Sequence, residues 1–151
     1  MKMKKILYIL AAAICMLTSC EKFKTVEDKI VGDWHCASAD IDAEIYVTFN
    51  ADKTFVLYQQ ITQGAFRVYN GTYQIAESED GSGHILSGEY NDGAAWGADY
   101  ELAMADSKVM TLTAEGITET YEKLKEGIPA EVKESSAIVV KSEGSDEVPF
   151  L

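Results

Sequence analysis

The residues able to carry out acid–base or metal chemistry are few and scattered along the chain. His35 and His84 are the two histidines, and neither has a cysteine or carboxylate at the spacing of a metal site. Asp99 and Glu101 are two residues apart, on one face of a predicted strand, and such a pair can do acid–base work when one carboxylate is buried. The same spacing is typical of a solvent-facing strand, and no Gly-x-Ser-x-Gly motif occurs. The sequence therefore indicates a protein that is not an enzyme and holds no metal or other cofactor.

Aromatic side chains are the more informative feature. A ring with a polar tip can form an apolar pocket wall and still orient a ligand through a hydrogen bond. The same residue types favour strands and cross-strand pairing, so a structural interpretation of the aromatics stays open. The candidate ligand-contacting residues are Tyr58, Tyr73, Tyr90, Trp96 and Tyr100.

The beginning of the chain has the pattern of an export signal. Three lysines within residues 1–5 precede an uncharged run over residues 6–17, which is shorter than the ~20 apolar residues that a membrane-spanning helix needs. A basic start, a short apolar run and then small residues are typical of a secretory signal peptide. The run ends in Leu17-Thr18-Ser19-Cys20, which resembles the lipobox of bacterial lipoproteins. The resemblance implies that residues 1–19 are a cleaved signal peptide and that the Cys20 thiol receives a diacylglycerol with palmitate-type chains.

The residues after Cys20 bear on the destination of the protein. Two or three acyl chains would anchor it firmly, whereas a single chain binds membrane only marginally. Glu21 stands where an aspartate would resemble an inner-membrane retention signal, so the outer membrane is favoured. The stretch Glu21-Lys22-Phe23-Lys24 is mixed in charge, unlike the acidic cluster that exports some lipoproteins to the cell surface. The sequence thus favours an outer-membrane lipid anchor on the periplasmic face, with residues 20–29 as the lipidated cysteine and tether.

The expected mature chain is small and acidic. Removal of residues 1–19 would leave 132 of the 151 residues, enough for one domain with one core. Loss of the three lysines in that segment would take the formal net charge from −12 to −15. This charge argues against nucleic acid as a partner and against binding of anionic lipid by the protein surface itself. With Cys15 removed and Cys20 acylated, only Cys36 would remain, so no intramolecular disulfide is expected.

Residues 30–124 have the pattern of an all-β domain. Short segments rich in aromatic and β-branched residues alternate with Gly, Asn and Asp turns at intervals of about 8–12 residues. The eight predicted strands are Val31–Ser38, Glu44–Phe49, Thr54–Gln60, Ala65–Ala76 (with a bulge or bend at Asn70-Gly71), His84–Tyr90, Trp96–Ala103, Val109–Ala114 and Ile117–Leu124. Short connections between sequential strands favour an antiparallel up-and-down meander, closed into a barrel because closure removes the open edges. Residues 125–151 are acidic and rich in serine, and we expect a mobile tail there in which Ala137–Val140 can form one extra edge strand.

The head of the first strand, Val31-Gly32-Asp33-Trp34, resembles the Gly-x-Trp signature of the lipocalins, in which the tryptophan packs at the closed end of the barrel. The hairpin at residues 45–55 and the later segments 71–73, 86–90 and 110–113 are similar, in the same order, to lipocalin-like lipoproteins of Gram-negative bacteria. The resemblance implies a lipocalin-like eight-stranded barrel with Gly32 and Trp34 as its structural signature. The long first loop, C-terminal helix and disulfide of the classical family are not evident in this sequence.

Two functions are consistent with these features. The first is a lipid-anchored cell-envelope protein, attached to the membrane through Cys20, whose lipocalin-like barrel binds a small apolar or amphipathic ligand. The second is a structural or interaction module, accessory to an envelope protein complex, whose barrel is filled by its own side chains. A binder needs a cavity lined by apolar residues, whereas an interaction module needs an exposed apolar patch.

Overall fold

The computed structural model of the chain describes residues 25–37, 43–61, 64–138 and 149–151. The predicted signal peptide, Cys20 and the first part of the predicted tether lie outside these residues. Within them, no helix is long and apolar enough to cross a bilayer. The elements are the helices α1 (Val26–Ile30) and α2 (Ala130–Ser135) and the strands β1 (Gly32–Cys36), β2 (Glu44–Phe49), β3 (Thr54–Gln60), β4 (Arg67–Glu77), β5 (His84–Tyr90), β6 (Tyr100–Ala103), β7 (Val109–Ala114), β8 (Ile117–Lys123) and β9 (Ala137–Ile138).

Strands β1 to β8 form a closed antiparallel barrel. Each strand pairs with its neighbours in sequence, β1 pairs with β8, and the pairing of β3 with β4 completes the ring. The prediction of an eight-stranded up-and-down barrel is confirmed. Strand β3 shows how the sequence encodes it, because Phe55, Leu57 and Gln59 are buried and alternate with partly exposed residues. Successive side chains of a strand point to opposite faces, so this alternation fills the interior of the barrel.

One end of the barrel is covered by α1 and Trp34, and we refer to it as the closed end. The side chain of Thr25 caps α1 and forms a capping box with Asp28, which fixes where the helix begins. Trp34 is fully buried, and its indole N–H donates a hydrogen bond of 2.7 Å to the carbonyl oxygen of Ile30. The helix that precedes the barrel is therefore joined to the barrel core by this hydrogen bond and by the buried side chain of Ile30.

Lys123 completes the closed end and accounts for the glycine of the Gly-x-Trp segment. Its ammonium group lies 5.0 Å from the centre of the Trp34 ring and donates to the carbonyl oxygens of Lys29 and Val31 at 2.8 and 2.6 Å. A positive charge over the ring face is attracted by the ring electrons. Gly32 has a φ of +137°, and a Cβ at that position would lie 2.7 Å from Cε of Lys123. A side chain at position 32 would displace the lysine from the tryptophan.

The fourth predicted strand contains no bulge. The pairing of β4 runs without interruption past Gly71, which lies opposite Phe55 on one side and Tyr90 on the other. A Cβ at position 71 would lie 1.9 Å from the carbonyl oxygen of Glu89. A glycine within a strand commonly marks either a bulge or a close approach of neighbouring backbone. At Gly71 the reason is the close approach of the β5 backbone.

The sixth strand is shorter than predicted. It begins at Tyr100, and residues 91–99 form a loop in which Ala95 makes an isolated bridge to Glu89. The backbone N–H of Trp96 donates to the carbonyl oxygen of Gly88 at 2.9 Å. The Trp96 side chain is buried in alternation with those of Tyr100 and Leu102, as in a strand, but the Trp96 backbone is not paired as part of β6.

Residues 125–138, the first part of the segment for which we expect a mobile tail, contain regular structure. Helix α2 has a buried Val132, and β9, which lies within the predicted edge strand Ala137–Val140, pairs in parallel with the first two residues of β4. Tyr46 lies on the outer face of β2, and its pKa is raised by burial, by Glu44 and also by the negative charge of Glu131. Because Glu131 belongs to α2, this helix lies close to the outside of the barrel. The helix is only six residues long, and one buried apolar position in six residues leaves no detectable periodicity in the sequence.

Candidate functional site

The end of the barrel opposite α1 is lined by aromatic side chains with polar tips. Strands β4, β5 and β6 each place one tyrosine in the interior near this open end, and the 91–99 loop adds a tryptophan. Each of these side chains is at most 8% exposed. We call this set the mouth cluster, and its members are Tyr69, Tyr90, Trp96 and Tyr100.

The rings of the mouth cluster pack on one another and on the apolar core beneath. The centre of the Trp96 ring lies 6.3 Å from that of Tyr100, and the Tyr69 and Tyr90 rings are 6.1 Å apart. Phe55 lies below them, with its ring 5.0 Å from Trp96 and 5.7 Å from Tyr90. All four pairs have the edge-to-face geometry that aromatic rings prefer. The mouth cluster is thus a continuous apolar surface that also contains polar atoms, of which the Tyr69 hydroxyl and Trp96 Nε1 are buried.

Trp96 is held in place by a glycine. A Cβ at Gly88 would lie 2.3 Å from Cε2 of Trp96, so the indole lies against the backbone of β5. The indole nitrogen Nε1 is buried, and it has no hydrogen-bond partner among the described residues. A buried donor of this kind costs free energy, about 1–3 kcal/mol, unless an acceptor reaches it. A ligand that carries an oxygen acceptor could supply that partner.

The tyrosines of the mouth cluster are hydrogen-bond donors at neutral pH. Burial, followed by the charges of Glu119 and Glu115, raises the pKa of Tyr100 to about 12. Burial likewise raises the pKa of Tyr90. Because these hydroxyl groups keep their protons, they can orient a ligand but cannot act as general bases.

Glu119 adds a carboxylate at the open end. It lies on β8 two residues before Tyr121, in the inward phase of the strand, and it is partly buried. Burial raises the pKa of its carboxyl group above the usual range. A cavity of about 210 Å³ lies beside it, lined by Tyr100, Glu119 and residues of the neighbouring turns. A cationic group would be the natural partner for this carboxylate.

The chain itself occupies the open end. Residues 149–151, which we call the 149–151 segment, lie against the mouth cluster, and Leu151 is 1% exposed. The Tyr90 hydroxyl donates to the main-chain oxygen of Leu151 at 2.5 Å, and the Tyr100 hydroxyl donates to that of Phe150 at 3.4 Å. The N–H of Phe150 donates to Oε1 of Gln59 at 2.8 Å. An apolar side chain with main-chain polar groups on either side therefore fits this site.

Three of the five predicted ligand residues meet in the mouth cluster, namely Tyr90, Trp96 and Tyr100. Tyr73 is also buried but lies near the closed end, where its hydroxyl donates to the carbonyl oxygen of Asn50 at 2.8 Å. Tyr58 lies on the outer face, because the alternation of β3 turns its neighbours inward. The structure therefore separates Tyr58 and Tyr73 from the other three.

Sequence reasoning missed Gln59, Tyr69, Glu119 and the 149–151 segment. Gln59 could have been recognised from the sequence, since it follows Phe55 and Leu57 among the inward-pointing residues of β3. It is fully buried in the structure. A polar residue at an inward position is uncommon and needs a hydrogen-bond partner. One partner is the N–H of Phe150, which is 91 residues away and cannot be identified from local sequence.

The other candidate residues lie outside the mouth cluster. His35 is on the outer face, where its Nε2 lies 3.1 Å from the Glu44 carboxylate and its ring stacks on Tyr46. Asp99 and Glu101 are both exposed, which is the solvent-facing arrangement of that pair. Within the described ranges, no three His, Cys, Asp or Glu residues are grouped so that they could hold a metal ion.

A solved structure is similar to this chain in fold. It is the NMR structure of a protein from Bacteroides uniformis ATCC 8492, with a TM-score of 0.51, 22% sequence identity, and coverage of 68% of this chain and 94% of that chain. At this level of identity the likeness concerns the fold alone. No protein-family model matches the sequence, and a search of curated proteins found no match.

Proposed function

We propose that the chain is a lipid-anchored protein of the outer membrane, facing the periplasm, whose lipocalin-like barrel binds a small apolar or amphipathic molecule at its open end. The observation that carries the proposal is the mouth cluster, in which buried rings surround an apolar residue and their hydroxyl groups donate to acceptors beside it. Such a combination of apolar walls and a few oriented polar groups is typical of ligand sites.

The ligand would bind near the rim, not deep in the barrel. The half of the interior towards the closed end is filled by fully buried side chains, among them Trp34, Phe49 and Met110. The apolar part of a ligand would take the volume that Leu151 now fills, and an oxygen acceptor would receive the Tyr90 hydroxyl. A cationic head group would lie near Glu119 and Glu115. The negative charges of both, after burial, raise the pKa of Tyr100.

A titration panel tests this function. Long-chain fatty acids, retinoids, haem and cationic amphiphiles are titrated into the protein by calorimetry, with tryptophan fluorescence recorded in parallel. We expect at least one ligand to bind in the micromolar range, about 8 kcal/mol, and to quench Trp96. Cationic amphiphiles should bind better than anionic ones because the expected mature net charge is −15, and this preference should shrink as salt rises.

Matched variants locate the binding. Tyr90→Phe should weaken it, because the hydroxyl donor is lost while the ring remains. Tyr58→Phe makes the same change on the outer face of β3 and should leave affinity unchanged. Equal effects of the two variants, or no binding across the panel, would contradict the proposal.

The second candidate is an interaction module in an envelope complex. The filled interior near the closed end favours it, together with two exposed apolar side chains at the open end of the barrel, Ile117 at 64% and Ile61 at 40% exposure. Native mass spectrometry of the protein taken from its own envelope separates the candidates. A retained small molecule supports the binder, and a stoichiometric protein partner without ligand supports the module.

The anchor has its own test. Cys20→Ala should abolish incorporation of radioactive palmitate, because the lipobox resemblance assigns acylation to that thiol. Cys36→Ala is the control, since Cys36 is buried in the barrel and should not affect labelling. If Cys20→Ala and the wild type are labelled equally, the chain is not a lipoprotein.

A further inference from the structure

We propose that the open end is a binding site for an extended apolar peptide segment, and that the 149–151 segment is its intramolecular occupant. The inference rests on the proposed function and narrows its ligand to a peptide. An incoming peptide would replace the 149–151 segment on the mouth cluster.

The hydrogen bonds at the open end involve main-chain groups of the bound segment, as expected for the recognition of a peptide. Main-chain groups of the segment are held at three points: the N–H of Phe150 by Gln59, its oxygen by the Tyr100 hydroxyl, and the oxygen of Leu151 by the Tyr90 hydroxyl. A fatty acid or a retinoid could accept from the tyrosines, but it has no N–H group to donate to Gln59. Because Gln59 is fully buried, a ligand without that donor would remove a hydrogen bond to Oε1 in the interior, which is unfavourable.

The apolar contacts define the residue that the site accepts. Leu151 is 1% exposed and belongs to the barrel core, whereas Phe150 is only partly buried at the edge of that core. A Cβ added at Gly97 would lie 4.0 Å from the main-chain oxygen of Leu151, so the loop of Trp96 borders the peptide without crowding it. The site therefore selects an aliphatic side chain at the inner position and tolerates a larger one at the rim.

Because the 149–151 segment occupies the site, a peptide added in solution has to compete with it for binding. A segment that belongs to the same chain as its site is present there at a high effective concentration, commonly millimolar when the connection is short. A peptide added in solution must overcome that concentration in the wild-type protein but not in a variant without the segment. The apparent affinity of the wild type for the peptide is reduced accordingly.

The test uses a labelled synthetic peptide with the sequence of residues 146–151, Asp-Glu-Val-Pro-Phe-Leu. Its binding is measured by fluorescence anisotropy to the wild-type chain and to the same chain lacking residues 149–151. We expect the dissociation constant to be at least about tenfold lower for the deletion variant. Leu151→Asp in the otherwise intact chain is the second variant, and it should bind the peptide more tightly than the wild type, because a buried charge disfavours the tethered segment.

A modified peptide tests the role of Gln59. N-methylation of the phenylalanine removes the N–H that donates to Gln59 and should weaken binding to the deletion variant about tenfold. In the deletion variant that also carries Gln59→Leu, the two peptides should bind alike. Tyr58→Phe in the same background is the control and should preserve the difference between the peptides.

The outcomes separate this inference from the proposed function. If wild type and both variants bind the peptide equally, or none binds it, the inference is wrong. If an amphiphile from the panel binds while the peptide does not, the barrel binds a small molecule but the peptide assignment is overturned. Tighter peptide binding by the variants, with loss of the N-methyl effect in Gln59→Leu, supports the inference whether or not any amphiphile binds.

Discussion

Trp34→Ala should lower the free energy of unfolding by about 3–5 kcal/mol, the range for truncating a buried large aromatic residue. Trp34 is fully buried, and it joins α1 to the barrel through the hydrogen bond of its indole to Ile30. Its removal would also leave the Lys123 ammonium without the ring beneath it. Urea titration of the protein from Glu21 onward measures the loss.

A conservative variant separates packing from the hydrogen bond. Trp34→Phe retains an aromatic ring but loses the indole N–H, so it should be destabilised less than Trp34→Ala. A loss below about 1 kcal/mol for Trp34→Ala would mean that the residue does not hold the closed end together.

Gly71→Ala should destabilise the barrel by at least the upper part of the range of about 1–3 kcal/mol typical of overpacking. The added methyl group would lie 1.9 Å from the carbonyl oxygen of Glu89 and 2.8 Å from Cα of Tyr90. Both of these atoms belong to backbone, so the clash can be relieved only if β4 and β5 separate. Thermal and urea unfolding measure the change.

Gly83→Ala is the matched control for this variant. Gly83 precedes β5 and has no atom within 4 Å of an added Cβ, and its φ is not in the left-handed region. We expect a change within about 0.5 kcal/mol, as for other open surface positions. Similar losses for the two alanine variants would show that close backbone approach at Gly71 is not what requires the glycine.

The barrel could be predicted from sequence because its strands carry a local signal. In β2 and β3 buried side chains alternate strictly with side chains that are at least partly exposed, and the Asn and Asp residues between the strands mark the hairpin. The sixth strand was predicted too long because Trp96 stays in phase with Tyr100 and Leu102 although its backbone lies in a loop. Alternation reports which way a side chain points, but it does not report whether the backbone is paired.

The candidate site was predicted only in part for a related reason. Alternation places both Tyr73 and Tyr90 in the interior, yet one lies near the closed end and the other at the open end. Height along the barrel depends on the pairing register across several strands, which a single strand does not encode. The 149–151 segment could not be found at all, because its contacts reach Tyr90 and Gln59 across 61 and 91 residues of sequence.

The position of α1 also sets how a membrane-attached form of the protein would be oriented. Thr25, where the described chain begins, lies beside the closed end and is five residues from Cys20, a reach of at most about 18 Å. With the proposed anchor on Cys20, the closed end is held next to the bilayer. The open end lies at the opposite ends of the same strands, on the side of the barrel away from that attachment point. A molecule arriving at the mouth cluster would then come from the aqueous compartment, not sideways out of the lipid leaflet.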